Sequence, residues 1–425
     1  MITLCLGGKK TLATKAQDAK RVKIKMTISK AENKSREFQV FAKPVGSLCN
    51  LHCKYCYYLS KRDLYPDTGN LIMTDNILEK YIIQHIEASE EDIINFSWHG
   101  GEPLLAGIDF YRKVLKLQSV HKPSGKTILN GIQTNGTLID EEWSRFIAGN
   151  GFLVGISIDG PSDYHNYFRR TGDDKETFEK VKRGYMLLKN YGVIPEILCV
   201  VNAENVKHPL VIYDFFKKMG AKFITFLPLV IPDSNSATGV SCDSVPAEEF
   251  GHFLSEVFDA WVENDIGEIK IQIFEEAART AFNQEHTLCI FKKNCGGVPV
   301  VEHNGDFYSC DHYVNKNYLL GNIKDHPLTY FIESERQKDF GKAKSAKLPE
   351  YCRKCEVLAM CNGECPKNRF IFTHDGEAGL NYLCAGYKYF FNHCRPFVEA
   401  ISTVWKNQSG FLPHPPAPFS QERRG

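Results

Sequence analysis

Apolar positions recur along this chain with two periods, and their alternation outlines the fold. From about residue 37, a short run of β-branched and aromatic residues gives way to a turn and then to a helix-period segment, and the unit repeats. Six strand-like runs fall at 38–42, 93–98, 127–134, 153–158, 193–201 and 223–229. Helix-period segments lie near 75–88, 109–121, 140–149, 175–191, 205–219 and 247–264. The first opens with Thr74 and Asp75, either of which suits an N-cap. Strands alternating with helices predict an α/β fold with a parallel sheet of right-handed βαβ units. A closed eight-stranded barrel needs two more strands than the pattern offers. The expectation is therefore an open (β/α)6 partial barrel, with ligands at the C-terminal ends of its strands.

Beyond about 285 the long periods stop, and cysteines and short turns take over. The expected division is a disordered basic leader over 1–37, the partial barrel over 38–284, a small cysteine-rich domain over 285–400, and a disordered tail over 401–425. In the leader a short apolar opening precedes a basic run, the reverse of a secretory signal, and Met26 is an alternative start. The tail is rich in proline. No repeat of solenoid length is present.

Charge narrows the partners. Lys and Arg total 52 against 51 for Asp and Glu, which gives no electrostatic reason to expect nucleic acid or an anionic membrane. No stretch reaches the roughly 18–20 apolar residues of a membrane span. A cytoplasmic location is expected. Fifteen cysteines in a chain with no export signal point to metal rather than disulfides.

Cys49, Cys53 and Cys56 form C-x3-C-x2-C on the loop after the first strand. Three thiolates this close can hold three irons of a [4Fe–4S] cube and leave the fourth open, since soft donors suit such clusters. A zinc site that includes His52 is the rival, although neighbours such as His52 and Cys53 usually point apart. Three further polar or glycine-rich motifs follow at successive strand ends: HGGEP, QTNG and SIDG. Eight more cysteines cluster in the second half: Cys289, Cys295, Cys310, Cys352, Cys355, Cys361, Cys365 and Cys384. Two four-thiolate sites would account for all eight, and structural zinc is the alternative. Cys5, Cys199, Cys242 and Cys394 show no ligand spacing, and Cys199 fits a core position.

CNLHCKYCYY resembles the signature of the radical S-adenosylmethionine (SAM) superfamily, whose open iron chelates SAM. HGGEP matches that superfamily's glycine-rich strand end. The resemblance implies that Gly100, Gly101 and Glu102 meet the SAM amino group, with Glu102 offsetting its charge. It places Tyr55 at the adenine, Ser157 and Arg169 at the ribose or carboxylate, and Leu229 beside the adenine. Arg170 is an equally available guanidinium, while core packing for Leu229 and an ion pair for Arg169 are the plain alternatives. The second cysteine set resembles the twin-cluster SPASM extension, in which ligands interleave. Carried over, Cys289, Cys295, Cys310 and Cys365 hold one auxiliary cluster, and Cys352, Cys355, Cys361 and Cys384 the other.

From about 38 to 395 the chain most resembles the anaerobic sulfatase-maturating enzymes, which oxidise one Cys or Ser of a client sulfatase to Cα-formylglycine. That implies three [4Fe–4S] clusters, SAM and Asp311 as base, although Asp is also common in turns. Tyr58, Gln133 and Asn135 would read the client backbone, Asn135 having a turn role as its alternative. The implied partners are an unfolded or nascent sulfatase peptide with a C/S-x-P-x-R motif and a flavodoxin- or ferredoxin-type electron donor. Two other readings stand beside this one. The first is a maturase that crosslinks a ribosomal peptide, for which the 37 leading residues are too few to form a leader-binding domain. The second is a non-enzymatic zinc scaffold, which leaves the order of the motifs unexplained.

Overall fold

The strands fall largely where the pattern puts them, in a sheet that runs on past both expected edges. The structure, a computed structural model, describes residues 38–65 and 71–409; the expected leader and the end of the tail lie outside them. The parallel strands are β1 (Phe41–Ala42), β2 (Ile93–Trp98), β3 (Thr127–Thr134), β4 (Leu153–Ser157), β5 (Glu196–Val201), β6 (Phe223–Pro228) and β7 (Lys270–Ile271). They lie side by side in chain order, as βαβ units require. Along β5 the side chains alternate, with Ile197, Cys199 and Val201 fully buried against the surrounding helices.

The second half of the chain adds to the free edge of β1. β8 (Val300–Val301) pairs in parallel with β1, and β9 (Asp306–Tyr308) and β10 (Leu319–Asn322) continue the sheet antiparallel. The partial barrel and the cysteine-rich region therefore share one sheet. Two-residue strands such as β7 and β8 carry no readable period, which is why six strands rather than ten were expected.

Other differences have local causes. The first strand covers only 41–42, and just before it Gln39 N–H donates to the Gly297 carbonyl, on the side where Phe41 N–H donates to Pro299. The segment expected over 205–219 splits into a tight turn, Asn205–Lys207, and a helix, Pro209–Lys218, since Pro209 suits only a first helical turn. A short helix, Ser162–Phe168, went unforeseen. Helix Cys384–Ser409 runs nine residues past the expected start of the tail at 401.

That last helix packs against Ala247–Asn264 of the barrel, where Phe258 meets Phe390 and Phe397 at ring separations of 6.1 and 5.5 Å. The crossing is glycine on glycine, Gly251 against Gly386. Before the cysteine-rich region, buried Glu276 accepts from the Thr287 and Leu288 N–H groups (3.0–3.1 Å) and pairs with His286 at 2.8 Å. One carboxylate thus fixes the segment that carries Cys289.

A Cβ on Gly386 would stand 1.9 Å from the Ala247 carbonyl oxygen. Gly386→Ala is expected to destabilise the protein by about 1–3 kcal/mol, as overpacking does. At Gly149 a Cβ meets nothing within 4 Å. Gly149→Ala should be neutral or stabilising by up to about 1 kcal/mol. Denaturant unfolding of the two variants checks both.

Candidate active site

The cysteine loop rests on the end of β2, and the two glycines of HGGEP allow it. Gly101 N–H donates to the Gly46 carbonyl and Glu102 N–H to the Leu48 carbonyl, both at 2.8 Å. A Cβ on Gly101 would lie 2.0 Å from the Leu48 oxygen, and Gly100 has φ +141°, so neither position takes a side chain without a shift. Cys49 Sγ accepts weak hydrogen bonds from Leu51 N–H (3.4 Å) and the Asn135 amide (3.7 Å). Burial pushes the Cys49 thiol up to about 12 and that of Cys53 up to about 11, and neighbouring thiols of the loop add to both shifts. His52 is exposed and its N–H is spent on the Arg170 carbonyl.

Glu102 is held by donors of the protein itself. Its side chain is 0% exposed. Oε1 accepts from Leu104 N–H (3.1 Å) and the Thr134 hydroxyl (2.7 Å), and Oε2 accepts from Asn135 N–H (2.8 Å). The carboxylate ties the turn after β2 to the end of β3. Asn135 likewise bonds Asn50 (2.9 Å) and Cys49, which ties the end of β3 to the cysteine loop.

Across the loop, Asp159 Oδ2 accepts from the Tyr55 hydroxyl (2.5 Å) and from Arg169 Nε (3.0 Å). Arg169 is buried, lies over the Tyr55 ring at 5.3 Å and is an electrostatic neighbour of Cys53. Arg170 turns away to the Asn166 and Asp174 carbonyls. The two guanidiniums are thus distinguished, and the pair that Arg169 makes is a buried one. The Gln133 amide meets the Ser157 hydroxyl at 3.4 Å across β3 and β4. Leu229 is buried just past β6, where its N–H donates to Val201.

Asp311 follows β9 and meets the barrel. Lys43, 2% exposed, stands 2.6 Å from Asp311 Oδ1, and the Tyr57 hydroxyl donates to Oδ2. Burial pushes this carboxyl up, but the Lys43 ammonium, His312 and the two hydrogen bonds outweigh it and hold it below the usual range. Two nearby histidines stay neutral: burial, then cationic neighbours, lower His99 to about 3 and His312 to about 4. Tyr58, expected to touch substrate, is only 3% exposed, donates to buried Glu302 and lies beneath the Lys43 ammonium (4.2 Å). Its neighbour Tyr57, 47% exposed, takes the accessible position. Lys43, Tyr57, Asp159 and Glu302 were missed. Asp159, inside SIDG, and Tyr57, inside CNLHCKYCYY, lay in motifs that could have flagged them, whereas Lys43 and Glu302 did not.

The eight C-terminal thiols fall into two electrostatic neighbourhoods. Cys289, Cys295, Cys310 and Cys365 act on one another, as do Cys352, Cys355, Cys361 and Cys384. Burial raises all eight above the ordinary thiol value. Cys384 opens the long helix, whose N-terminus favours negative charge. Among the described residues no three His, Cys, Asp or Glu side chains converge to hold a single metal ion. Eight thiols in two sets of four match the ligand count of two four-iron clusters. Cys199 and Cys394 are buried apart from both groups, Cys242 is exposed, and Cys5 lies outside the described residues.

A parallel (β/α) sheet with a three-thiol loop after its first strand, joined to a cysteine-rich extension, defines a radical SAM enzyme with a SPASM-type domain. The family comparisons agree: the radical SAM superfamily matches residues 44–216, and an iron–sulfur cluster-binding domain, SPASM, matches 293–356. The chain belongs to the anaerobic sulfatase-maturating enzymes. It is 42% identical to a serine-type anaerobic sulfatase-maturating enzyme of Bacteroides thetaiotaomicron, over 88% of this chain and 93% of that one. With a cysteine-type enzyme of Clostridium perfringens it shares 36% identity, over 83% and 95%. A solved structure of native anSMEcpe with bound AdoMet and the Cp18Cys peptide superposes with TM-score 0.78 at 33% identity, covering 86% of this chain and 99% of that one. Streptococcus suis SuiB bound to its precursor peptide SuiA, at 14% identity and TM-score 0.56, shares the fold over 78% of this chain and 72% of that one.

Burial raises Glu102 to about 7, above its unfolded value of 4.5, against three donors that lower it. The folded state therefore binds the proton more tightly, and this group's contribution to stability falls as pH rises from about 4.5 to 7. In Glu102→Gln that part of the pH slope should flatten. The amide also turns a donor toward Asn135 N–H, at a cost of about 1–3 kcal/mol. Unfolding measured across pH tests both effects.

Proposed function

We propose that this enzyme oxidises one Ser or Cys of a client sulfatase peptide to Cα-formylglycine, with Asp311 as the base. The observation that carries the residue-level reading is the Lys43–Asp311 ion pair. It joins the strand that leads into the three-cysteine loop to the residue that follows Cys310. In this reading Cys49, Cys53 and Cys56 hold the SAM cluster. Cys289, Cys295, Cys310 and Cys365 hold the first auxiliary cluster, and Cys352, Cys355, Cys361 and Cys384 the second. Bound there, the reduced cluster and SAM would supply the 5′-deoxyadenosyl radical that takes a hydrogen from the client Cβ.

The remaining work falls to the chain's own residues. Tyr55, Ser157, Arg169 and Leu229 would hold SAM, with Asp159 fixing the first and third of these. The close backbone at Gly100 and Gly101 would receive the amino group of SAM, and Glu102 holds that turn in shape. Asp311, kept ionised by Lys43, is in the right state to accept a proton. The same pairing makes it a weak base, so the client hydroxyl or thiol gives up its proton after hydrogen removal has made that proton more acidic. Tyr57, already on Asp311, and Gln133 line the approach. The client carries a C/S-x-P-x-R motif, and a flavodoxin- or ferredoxin-type protein in the cytoplasm supplies the electron. No helix among the described residues is long and apolar enough to cross a membrane.

The test uses anaerobically reconstituted enzyme, SAM, dithionite and peptides containing C-T-P-S-R or its Ser counterpart, read by mass spectrometry. A Ser peptide should lose about two mass units as base-assisted oxidation proceeds, with matching 5′-deoxyadenosine. SAM cleavage with both peptides untouched would defeat the client assignment. Asp311→Asn should lower aldehyde formation by at least about 100-fold while SAM cleavage persists. Undiminished product in that variant would remove Asp311 from its role.

A further inference from the structure

Two cations stand among the eight C-terminal thiols in places where surface residues would not be. Lys344, on helix Glu335–Ala346, is 1% exposed, and its Nζ donates to the Cys289 and Ile290 carbonyls at 3.0 and 2.6 Å. No carboxylate stands within ion-pair distance of it among the described residues. Glu364 is near, but its Oε2 accepts from the Asn368 and Asn381 amides. A buried ammonium matched only by carbonyls is costly, and anionic thiolates beside it offset that cost.

Arg369 spans the two groups. Its guanidinium donates to the Gly363, Lys344, Asn362 and Glu364 carbonyls at 2.5–3.1 Å. Residues 362–364 are the shortest covalent bridge between the groups, from Cys361 to Cys365, and Asn362 and Glu364 turn it through left-handed φ of 46° and 50°. Arg369 is an electrostatic neighbour of Cys352 and Cys361 of one group and Cys295 of the other, whereas Lys344 neighbours Cys289, Cys295 and Cys365.

We propose that Lys344 and Arg369 are positioning residues that set the reduction potentials of the auxiliary clusters, Lys344 acting on the first alone and Arg369 on both. The inference rests on the ligand assignment made above. A fixed positive charge in a poorly solvated site favours the more negative, reduced state of a nearby cluster. The first cluster, facing both cations, is then the better one-electron acceptor. It is also the one beside Asp311, where the client carbon must lose an electron and its heteroatom a proton. Other charges complete the surroundings: Glu364 beside cysteines of both groups, Lys367 and Asp311 at the first, and Lys388, Glu356 and Glu377 at the second. Lys388 and Glu356 are little buried, so solvent screens their effect.

The experiment is an electron-paramagnetic-resonance redox titration of full-length protein in a Cys49→Ala, Cys53→Ala, Cys56→Ala background, which leaves only the auxiliary clusters. About eight irons per chain are expected there. Fewer would defeat the ligand assignment itself. With iron at that level, Lys344→Met should move one reduction wave to lower potential, and Arg369→Gln should move both. Lys344→Arg and Arg369→Lys, which keep the charge, should leave the waves in place even if they cost stability. Fully loaded Lys344→Met and Arg369→Gln proteins with unmoved waves would overturn the proposal. So would waves that move as much in the charge-keeping variants as in the neutral ones.

Discussion

Pairing of β8 with β1 lays the second half of the chain against the first, and the buried Lys43–Asp311 ion pair locks the join. Lys43 directly follows β1 and leads into the three-cysteine loop, while Asp311 directly follows Cys310. A single contact therefore fixes how far the loop stands from the C-terminal thiols. Leaving either partner alone in this setting would strand an unpaired buried charge, a loss of about 3–5 kcal/mol. Tyr58 beneath the ammonium and Tyr57 on the carboxylate extend the lock along the same loop.

Burial then governs the chemistry on both sides of that join. It raises the thiols of the loop and of both C-terminal groups, and it holds His99 and His312 neutral. Two of the buried acidic side chains at the site meet a cation directly, Asp159 with Arg169 and Asp311 with Lys43. Such an interior suits anionic cluster–thiolate sites and a radical reaction that must exclude water. It also explains why so many polar side chains near the site, Glu102 and Asn135 among them, bond to the protein itself.

The sequence disclosed features that are local along the chain. Strands of five residues or more show their period, and the cysteines show their spacing, because a ligand loop is a contiguous object. The same eight cysteines that spacing set apart lie in two neighbourhoods in space. What stayed hidden depends on contacts between distant segments. Lys43 gains its meaning only from a residue far along the chain, and nothing in YCYY says that Tyr58 is buried while Tyr57 is presented. The same holds for Glu102, whose donors are Leu104 in its own turn and Thr134 and Asn135 at the end of β3, a pairing that neither HGGEP nor QTNG reveals alone. The strands at both sheet edges are too short for any period, and the helix through Ser409 was cut short because proline-rich sequence follows it.

The account turns on hydrogen removal from a client side chain placed between the three-cysteine loop and Asp311. The most direct measurement uses a client peptide deuterated at the Cβ of its reactive Ser or Cys and follows the label by mass spectrometry. One deuterium carried into 5′-deoxyadenosine for each aldehyde formed is the predicted result. Aldehyde formed with unlabelled 5′-deoxyadenosine would contradict it.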